Sequence, residues 1–383
     1  MKRLFKISAA AAMVGVLALA ASGCGGGSSK KANITNEMVK FGVTNFADNL
    51  DPADNFFSWV VMRYGLGECL VKFDNKMNAT PWLADKWSVS DDKLTWTFHI
   101  NDKVKFSNGD KLTAEIAKES LERTFKLSNR AQSIFRYAEI KADGQNLMIK
   151  TVNPTPSLPG MLADPLFIII DTKVKDRDIK KQGPICTGPY AVKTYSKAKA
   201  VMVANPNYWD GTVPFKNAEI PTIDDPNTRA MALPLYAEAT QADAKKIGIK
   251  VNMKNVDYNV LDPMRQKGQF DLIISNILTA NTGDPEVYLN WYWKSNINGS
   301  QPQNSTGYSN PKFDALSDKL AVEFDPAKRR QYMIEMQQIL LDDGVALFFG
   351  YPKTNMVSKA GVANANIFPA DYYWLTKDIA PKQ

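Results

Sequence analysis

The chain has 383 residues, of which 44% are hydrophobic, 10% aromatic and 23% charged, a composition that excludes collagen-like, low-complexity and intrinsically disordered classes. Its formal charge of +7 arises from 47 Lys and Arg set among 40 Asp and Glu without a basic run, which argues against nucleic-acid binding and fits a solvated surface near anionic lipid. One histidine and three cysteines leave little material for a catalytic constellation or a metal cluster.

The first residues read as an address label. Lys2, Arg3 and Lys6 form a basic start, and "ISAAAAMVGVLALAAS" is an apolar run too short for a conventional membrane span. It ends in Ala21-Ser22-Gly23-Cys24, the pattern of a lipoprotein signal over residues 1–23, with Cys24 as the lipidated mature N-terminus. Ala21 stands where Leu is usual in such signals, and a plain secretory signal with an incidental cysteine is the alternative. Residues 24–35, "CGGGSSKKANIT", form a flexible polar tether. The expected location is therefore outside the cell or in the periplasm, with a lipid anchor in the membrane. Roughly 350 residues follow, enough for two domains, and they hold no second apolar stretch of spanning length. Export permits a disulfide between Cys69 and Cys186, but two buried free thiols fit the sequence equally well.

Downstream, "KFGVTNF" at 40–46 reads as a strand and "NLDPADN" as its turn-rich exit. Alternating apolar positions in "LVKFDN", "WSVSDDKLTWTFHI" and "VKFSNG" give antiparallel hairpins. "TAEIAKESLERTFK" is a helix with Thr113 as N-cap and Ile116, Ser120, Leu121 and Phe125 near one face. "YAEIKADGQNLMIKTV" is another hairpin around Asp143-Gly144. Asp225-Pro226 then opens a helix that Pro234 must end or kink, and a second helix starts at once, with Leu235, Tyr236, Ala239, Ala242 and Ile247 at helical spacing and Gly248 as its stop. Beyond it "KKIGIKVNMKNV", "VLDPMRQKG", "FDLIISNIL" and "AKRRQYMIEMQQILLDD" alternate strand and helix, so an α/β layer is expected.

The segment "PWLADKWSVSDDKLTWTFHINDKVKFSNGDKLTAEIAKESLERTF" resembles the hallmark region of the extracellular solute-binding proteins of the oligopeptide, dipeptide and nickel family, which serve ABC importers. "GPICTGPYAVKTY", "NPNYWDG", "DDPNTRAMAL", "IGIKVNMKNVDYNVLDPMRQKGQFDLII", "DPEVYLNWYW" and "YSNPKFDALSDKL" resemble further blocks in the family's order. The resemblance implies an α/β fold of two lobes, of the type II periplasmic-binding-protein kind, with a hairpin-rich subdomain in the first lobe. It places the first lobe at 36–233, the second at 234–345 and a returning tail at 346–383. In the family a long stretch, holding the first strand and helices of the second lobe, separates a block like "DDPNTRAMAL" from one like "PLYAEATQADAKKIGI". Here they abut at Leu233-Pro234, so a shortened second lobe with an internal deletion is expected.

The residues offer binding chemistry and little reactive chemistry. His99 lies in "TWTFHI" on the face opposite Trp96, Phe98 and Ile100, no Gly-x-Ser-x-Gly or phosphate loop accompanies it, and a hydrolase is the remote alternative. A cleft needs aromatic surface and a few fixed polar groups. "DNFFSWVVMRYG" supplies Asn55, Phe57, Trp59 and Arg63 where the family lines its cleft, although core packing explains Phe57 and Trp59 as readily. "TGDPEVYLNWYW" resembles the second lobe's ligand-facing loop and helix, with Trp291 on that helix and Asp284 either meeting a peptide's amino terminus or starting the helix. Arg130 matches the arginine of an Arg-x-x-Trp pattern in the nickel branch, but Ser133 stands at the Trp position and the later loop holds no histidine. The expectation is a tethered binder of di- or oligopeptides without cofactor or metal ligand set, partnered by importer permease subunits. A nickel or nickel-chelate binder, and a surface interaction protein that takes no solute, are the alternatives.

Overall fold

A computed structural model of the chain describes residues 37–43, 48–54, 56–221, 233–256, 258–275, 277–296, 303–351 and 355–382. The signal, Cys24 and the tether, Asn55, and the helix opening at Asp225-Pro226 lie outside the described residues.

The first lobe is built on two four-stranded sheets. One orders β1 (Met38–Lys40), β10 (Asn217–Pro221), β9 (Lys199–Ala204) and β8 (Tyr190–Tyr195), with β1 parallel to β10 and the others antiparallel. The other is an antiparallel sheet ordered β4 (Ala84–Val89), β5 (Thr95–Ile100), β7 (Asn146–Thr151) and β6 (Tyr137–Asp143), its two hairpins joined through β5 and β7. In β5 the alternation in "TWTFHI" is realised literally: Trp96, Phe98 and Ile100 are buried, and His99 lies on the other face, its Nδ1 2.9 Å from Asp85 Oδ1. A two-stranded ribbon, β2 (Val71–Phe73) with β3 (Ala79–Pro81), leads into this second sheet.

Helix α2 (Ala114–Leu127) starts where the Thr113 hydroxyl accepts a hydrogen bond from the Ile116 amide at 3.3 Å. Ile116, Leu121 and Phe125 recur at helical spacing and are buried, each contributing about 1.5–3 kcal/mol of apolar transfer. The Phe125 ring sits among those of Phe135, Tyr137 and Phe167 at 5.0, 4.7 and 5.7 Å. Cys69 and Cys186 are buried free thiols in the same core. The C-terminal residues return to this lobe: Tyr372, Leu375 and Ile379 are buried in its core, and the Leu375 amide donates to the Arg63 carbonyl at 3.0 Å.

The second half departs from the expected α/β layer. Among the described residues no strand occurs between β10 and the short pair β11 (Val362–Ala363) and β12 (Ala380–Pro381). "IKVNMKNV" and the described residues of "FDLIISNIL", 270–275 and 277–278, read above as strands, run outside any ladder, because a strand needs a neighbour and the described residues provide none. Five helices are present there: Leu233–Lys246, Tyr258–Gln266, Glu286–Trp293, Pro311–Val322 and Pro326–Asp342, here α6 to α10 in chain order. Pro234 falls in the first turn of α6, and Gly248 closes it at φ +82°. No residue of α6 is buried, so Leu235, Tyr236 and Ala239 have no core to face. The second lobe instead has a small core of Leu289, Phe313, Leu320, Met336 and Leu340 between α8, α9 and α10.

Candidate ligand-binding cleft

The two lobes face each other across a cleft of about 3380 Å³. Drug-sized ligands occupy pockets of about 300–1,000 Å³. The excess has a structural cause: the second wall includes 270–275 and 344–351, stretches that lie in no sheet, so the cleft merges with the space beside an unlayered lobe.

The first wall is set by one short helix. Helix α1 (Phe57–Arg63) follows the turn that Asp51 organises, and Phe56, Trp59 and Arg63 at i, i+3 and i+7 present one face to the cleft. The other face enters the core through Val60 and Val61. Of the two readings the sequence offers Phe57, the structure places it against the core, and its neighbour Phe56 lines the cleft, because one residue turns a helical side chain by about 100°. Arg63 is committed within the lobe. Its Nε donates to the Asp371 carbonyl at 3.0 Å, its Nη2 to Asp371 Oδ2 at 2.6 Å, and its guanidinium lies 4.3 Å from the centre of the Trp374 ring.

Arg130, on α3 (Asn129–Ile134), lines the same wall. Its Nη2 donates to Ser58 Oγ at 3.4 Å and lies 3.6 Å from the fully buried Asp164 carboxylate, and the Phe56 ring covers its guanidinium at 4.5 Å. Its Nε is buried with no hydrogen-bond partner among the described residues, as is the indole Nε1 of Trp59. An unmet buried donor costs about 1–3 kcal/mol until an acceptor reaches it. The acids of this wall are already matched: Asp51 to Arg123 at 2.7 Å, Asp54 to Lys180 at 2.8 Å, and Asp371 to Arg63. Arg136, exposed on the wall, has no ion-pair partner among the described residues. The exposed Arg136 and the partly exposed guanidinium of Arg130 therefore leave positive charge on the wall for a solute rich in acceptors.

Across the cleft Trp291 lines the second wall and donates its indole N–H to the Ser133 carbonyl at 2.8 Å, tying α8 to α3. Asp284 does not line the cleft. Its Oδ1 accepts from the Glu286 amide at 2.8 Å, as a helix-starting carboxylate does, and its Oδ2 accepts from Arg329 Nε and Nη2 at 3.1 and 2.7 Å. Arg329 Nη2 also donates to Glu286 Oε2 at 2.7 Å, and the Ser157 hydroxyl of the first lobe donates to the same carboxylate at 2.8 Å. Burial pushes the Glu286 carboxyl above its usual range, against the pull of Arg329. Of the two roles the sequence offers Asp284, its contacts fit the helix start, its oxygens being taken up by the Glu286 amide and by Arg329. Sequence reasoning missed Phe56, whose helical phase would have revealed it, and Arg329, which lies in a stretch read only as a helix. Among the described residues no three His, Cys, Asp or Glu are grouped to hold a metal ion, and no helix is long and apolar enough to cross a membrane.

A sheet-built first lobe and a helical second lobe facing a cleft of aromatics and arginines are the arrangement of a solute-binding fold. The model of the family described as bacterial extracellular solute-binding proteins, family 5 Middle, matches residues 78–236 and 234–300, and the chain belongs to that family. Among curated relatives, the nickel-binding protein NikA of Staphylococcus aureus is 25% identical over 331 residues, covering 85% of this chain and 64% of that protein. The dipeptide-binding protein of Lactococcus lactis is 28% identical over 323 residues, covering 74% and 55%. The chain thus spans under two thirds of the length of either. The crystal structure of NikA from Staphylococcus aureus in complex with Ni(L-His)2 superposes with a TM-score of 0.73 at 18% identity, over 90% of this chain and 100% of that one, which shows the fold.

Proposed function

We propose that this chain captures a small solute bearing carboxylates, a di- or oligopeptide foremost, and presents it to an ABC importer. Arg130 carries the reading: a cleft-lining guanidinium, set by Asp164 and stacked on Phe56. Capture works by differential affinity for the closed lobes, and no bond is broken. Residues 1–23 serve as an export signal and Cys24 as the lipid-bearing end, by the reading of "LAASGC" given above. Lobes of 36–233 and 234–345, joined at Leu233-Pro234 by an internal loss, fit two observations: the family model matches in two segments that meet at 234–236, and the chain covers 64% of a curated relative.

A second reading, a nickel chelate as cargo, is favoured by the nickel-binding names of similar proteins. Carboxylates of a chelate would use the same arginines, so the first wall serves either solute. Native mass spectrometry of the protein purified from its host separates them. Release of peptide masses on gentle activation is expected, a chelate mass would establish the second reading, and a bare protein that also fails to take up added peptides or chelates would overturn both.

A further inference from the structure

We infer that Ser157 is a positioning residue for solute capture: with Asp164 it seats residues 281–291 on the first lobe, so that Asn281 and Trp291 stand in a preformed part of the cleft while 233–256 and 258–275 are left to close over a solute. This rests on the reading of the chain as a solute binder and adds which part of the second wall is fixed. Ser157 and Asp164 are both buried, and neither lines the cleft, whereas Asn281 and Trp291 do. The Ser157 hydroxyl donates to Glu286 Oε2 at 2.8 Å, and the same oxygen accepts from Arg329. Asn281 Nδ2 donates to Asp164 Oδ2 at 3.3 Å, and the Asn281 carbonyl accepts from Tyr372 Oη at 2.9 Å. Since Asp164 Oδ1 lies 3.6 Å from Arg130 Nη2, one buried carboxylate sets both the arginine of the first wall and Asn281 of the second.

The backbones meet without room for a side chain between them. A Cβ on Gly160, in the short helix Leu158–Met161, would run into the Thr282 carbonyl oxygen, and one on Gly283, whose φ of +76° favours glycine, would strike the Phe73 ring. Helix α8 then serves two cores: Val287 belongs to that of the first lobe, and Tyr288, Leu289 and Trp293 to the small core of the second. Lifting α8 away would strip Ser157 from Glu286 and Asn281 from Asp164 together, and buried polar groups are costly once their hydrogen bonds are lost. The rest of the second wall meets no such cost. No residue of α6 is buried, and 249–256 and 270–275 lie in no sheet, so movement there breaks little. A segment already held in place spares the ordering cost that a solute would otherwise have to meet.

Amide exchange of the solute-free chain tests the seat. Amides of 289–293 are expected to exchange with the slow class of β5 and β7, at least about tenfold behind those of α6. Ser157→Ala is expected to speed 289–293 by about tenfold, as the loss of a hydrogen bond to a charged group does, with β5 and β7 unchanged. Ser157→Thr, which keeps the hydroxyl, is expected to retain the slow rate. Gly160→Ala, whose methyl meets the Thr282 carbonyl, is expected to act like Ser157→Ala even though alanine suits a helix better than glycine. Titration with pooled di- and tripeptides then reads positioning: Ser157→Ala is expected to weaken saturable binding by about tenfold and Ser157→Thr to preserve it. Exchange of 289–293 as fast as that of α6, wild-type exchange in Ser157→Ala, or equal peptide affinity in the wild type and Ser157→Ala would overturn the inference. A wild type that takes no peptide would overturn the peptide reading instead, and the exchange rates would still decide the seat.

Discussion

Glu68 is a buried carboxyl that ties a loop of the first lobe to its core. It is buried and accepts from Tyr208 Oη at 3.0 Å and Trp209 Nε1 at 2.9 Å, which pins the "NPNYW" loop to the core. Burial pushes its carboxyl from 4.5 up to about 7, against the pull of those donors. The folded chain therefore keeps a proton that the unfolded chain has released between pH 4.5 and 7, and stability falls as pH rises through that window. The whole interval is worth about 3 kcal/mol at 1.36 kcal/mol per unit. Thermal melts at pH 5 and pH 7.5 are expected to show a loss for the wild type that Glu68→Gln largely removes; an identical loss in both would assign the effect to other groups. Arg329 is the corresponding residue of the second lobe. Arg329→Met leaves the Glu286 carboxylate buried without its partner, a change that typically costs 3–5 kcal/mol. A urea midpoint unmoved by that substitution would show that Asp284 and Glu286 do not depend on Arg329, and would reopen Asp284 as a ligand contact.

At the scale of elements the two lobes differ in what their sequences can complete. α2 and the hairpins β4–β5 and β6–β7 were legible because their periodicities of 3.6 and 2 are local and each hairpin's partner lies nearby in the chain. "IKVNMKNV" and "FDLIIS" carry the same local signal, but whether a β-prone stretch pairs depends on a neighbour that no local pattern reveals. The cleft was legible where the resemblance put Trp59, Arg63, Arg130 and Trp291 on its walls, and it failed where one residue of helical phase separates Phe57 from Phe56. α6 shows the outcome for stability: fourteen residues with none buried make a helix that is marginal on its own. Limited proteolysis is expected to cut early between 234 and 345, leaving a resistant fragment from the sheets of β1 to β10. Equal resistance of both halves would mean that the second lobe has packed into a competent domain.

For the whole molecule, a chain that reads as shortened at Leu233-Pro234 keeps the first wall of the cleft and a thinned second wall. Re-sequencing the gene across those codons is expected to confirm the junction; a family-length insert there would restore the missing layer and remove the grounds for a weak second lobe. If the junction stands, solute affinity rests on the first wall, and on Arg130 above all. Hydrogen bonds to a charged group contribute about 1.5–3 kcal/mol, so losing the guanidinium should weaken binding by about 10- to 100-fold. Calorimetric titration of a pooled di- and tripeptide library into the wild type and into Arg130→Ala is the most direct measurement. Saturable binding by the wild type, weakened to that extent in the variant, is the expected result. No saturable heat from a folded wild-type sample, or equal affinity in the two proteins, would contradict solute capture by this cleft.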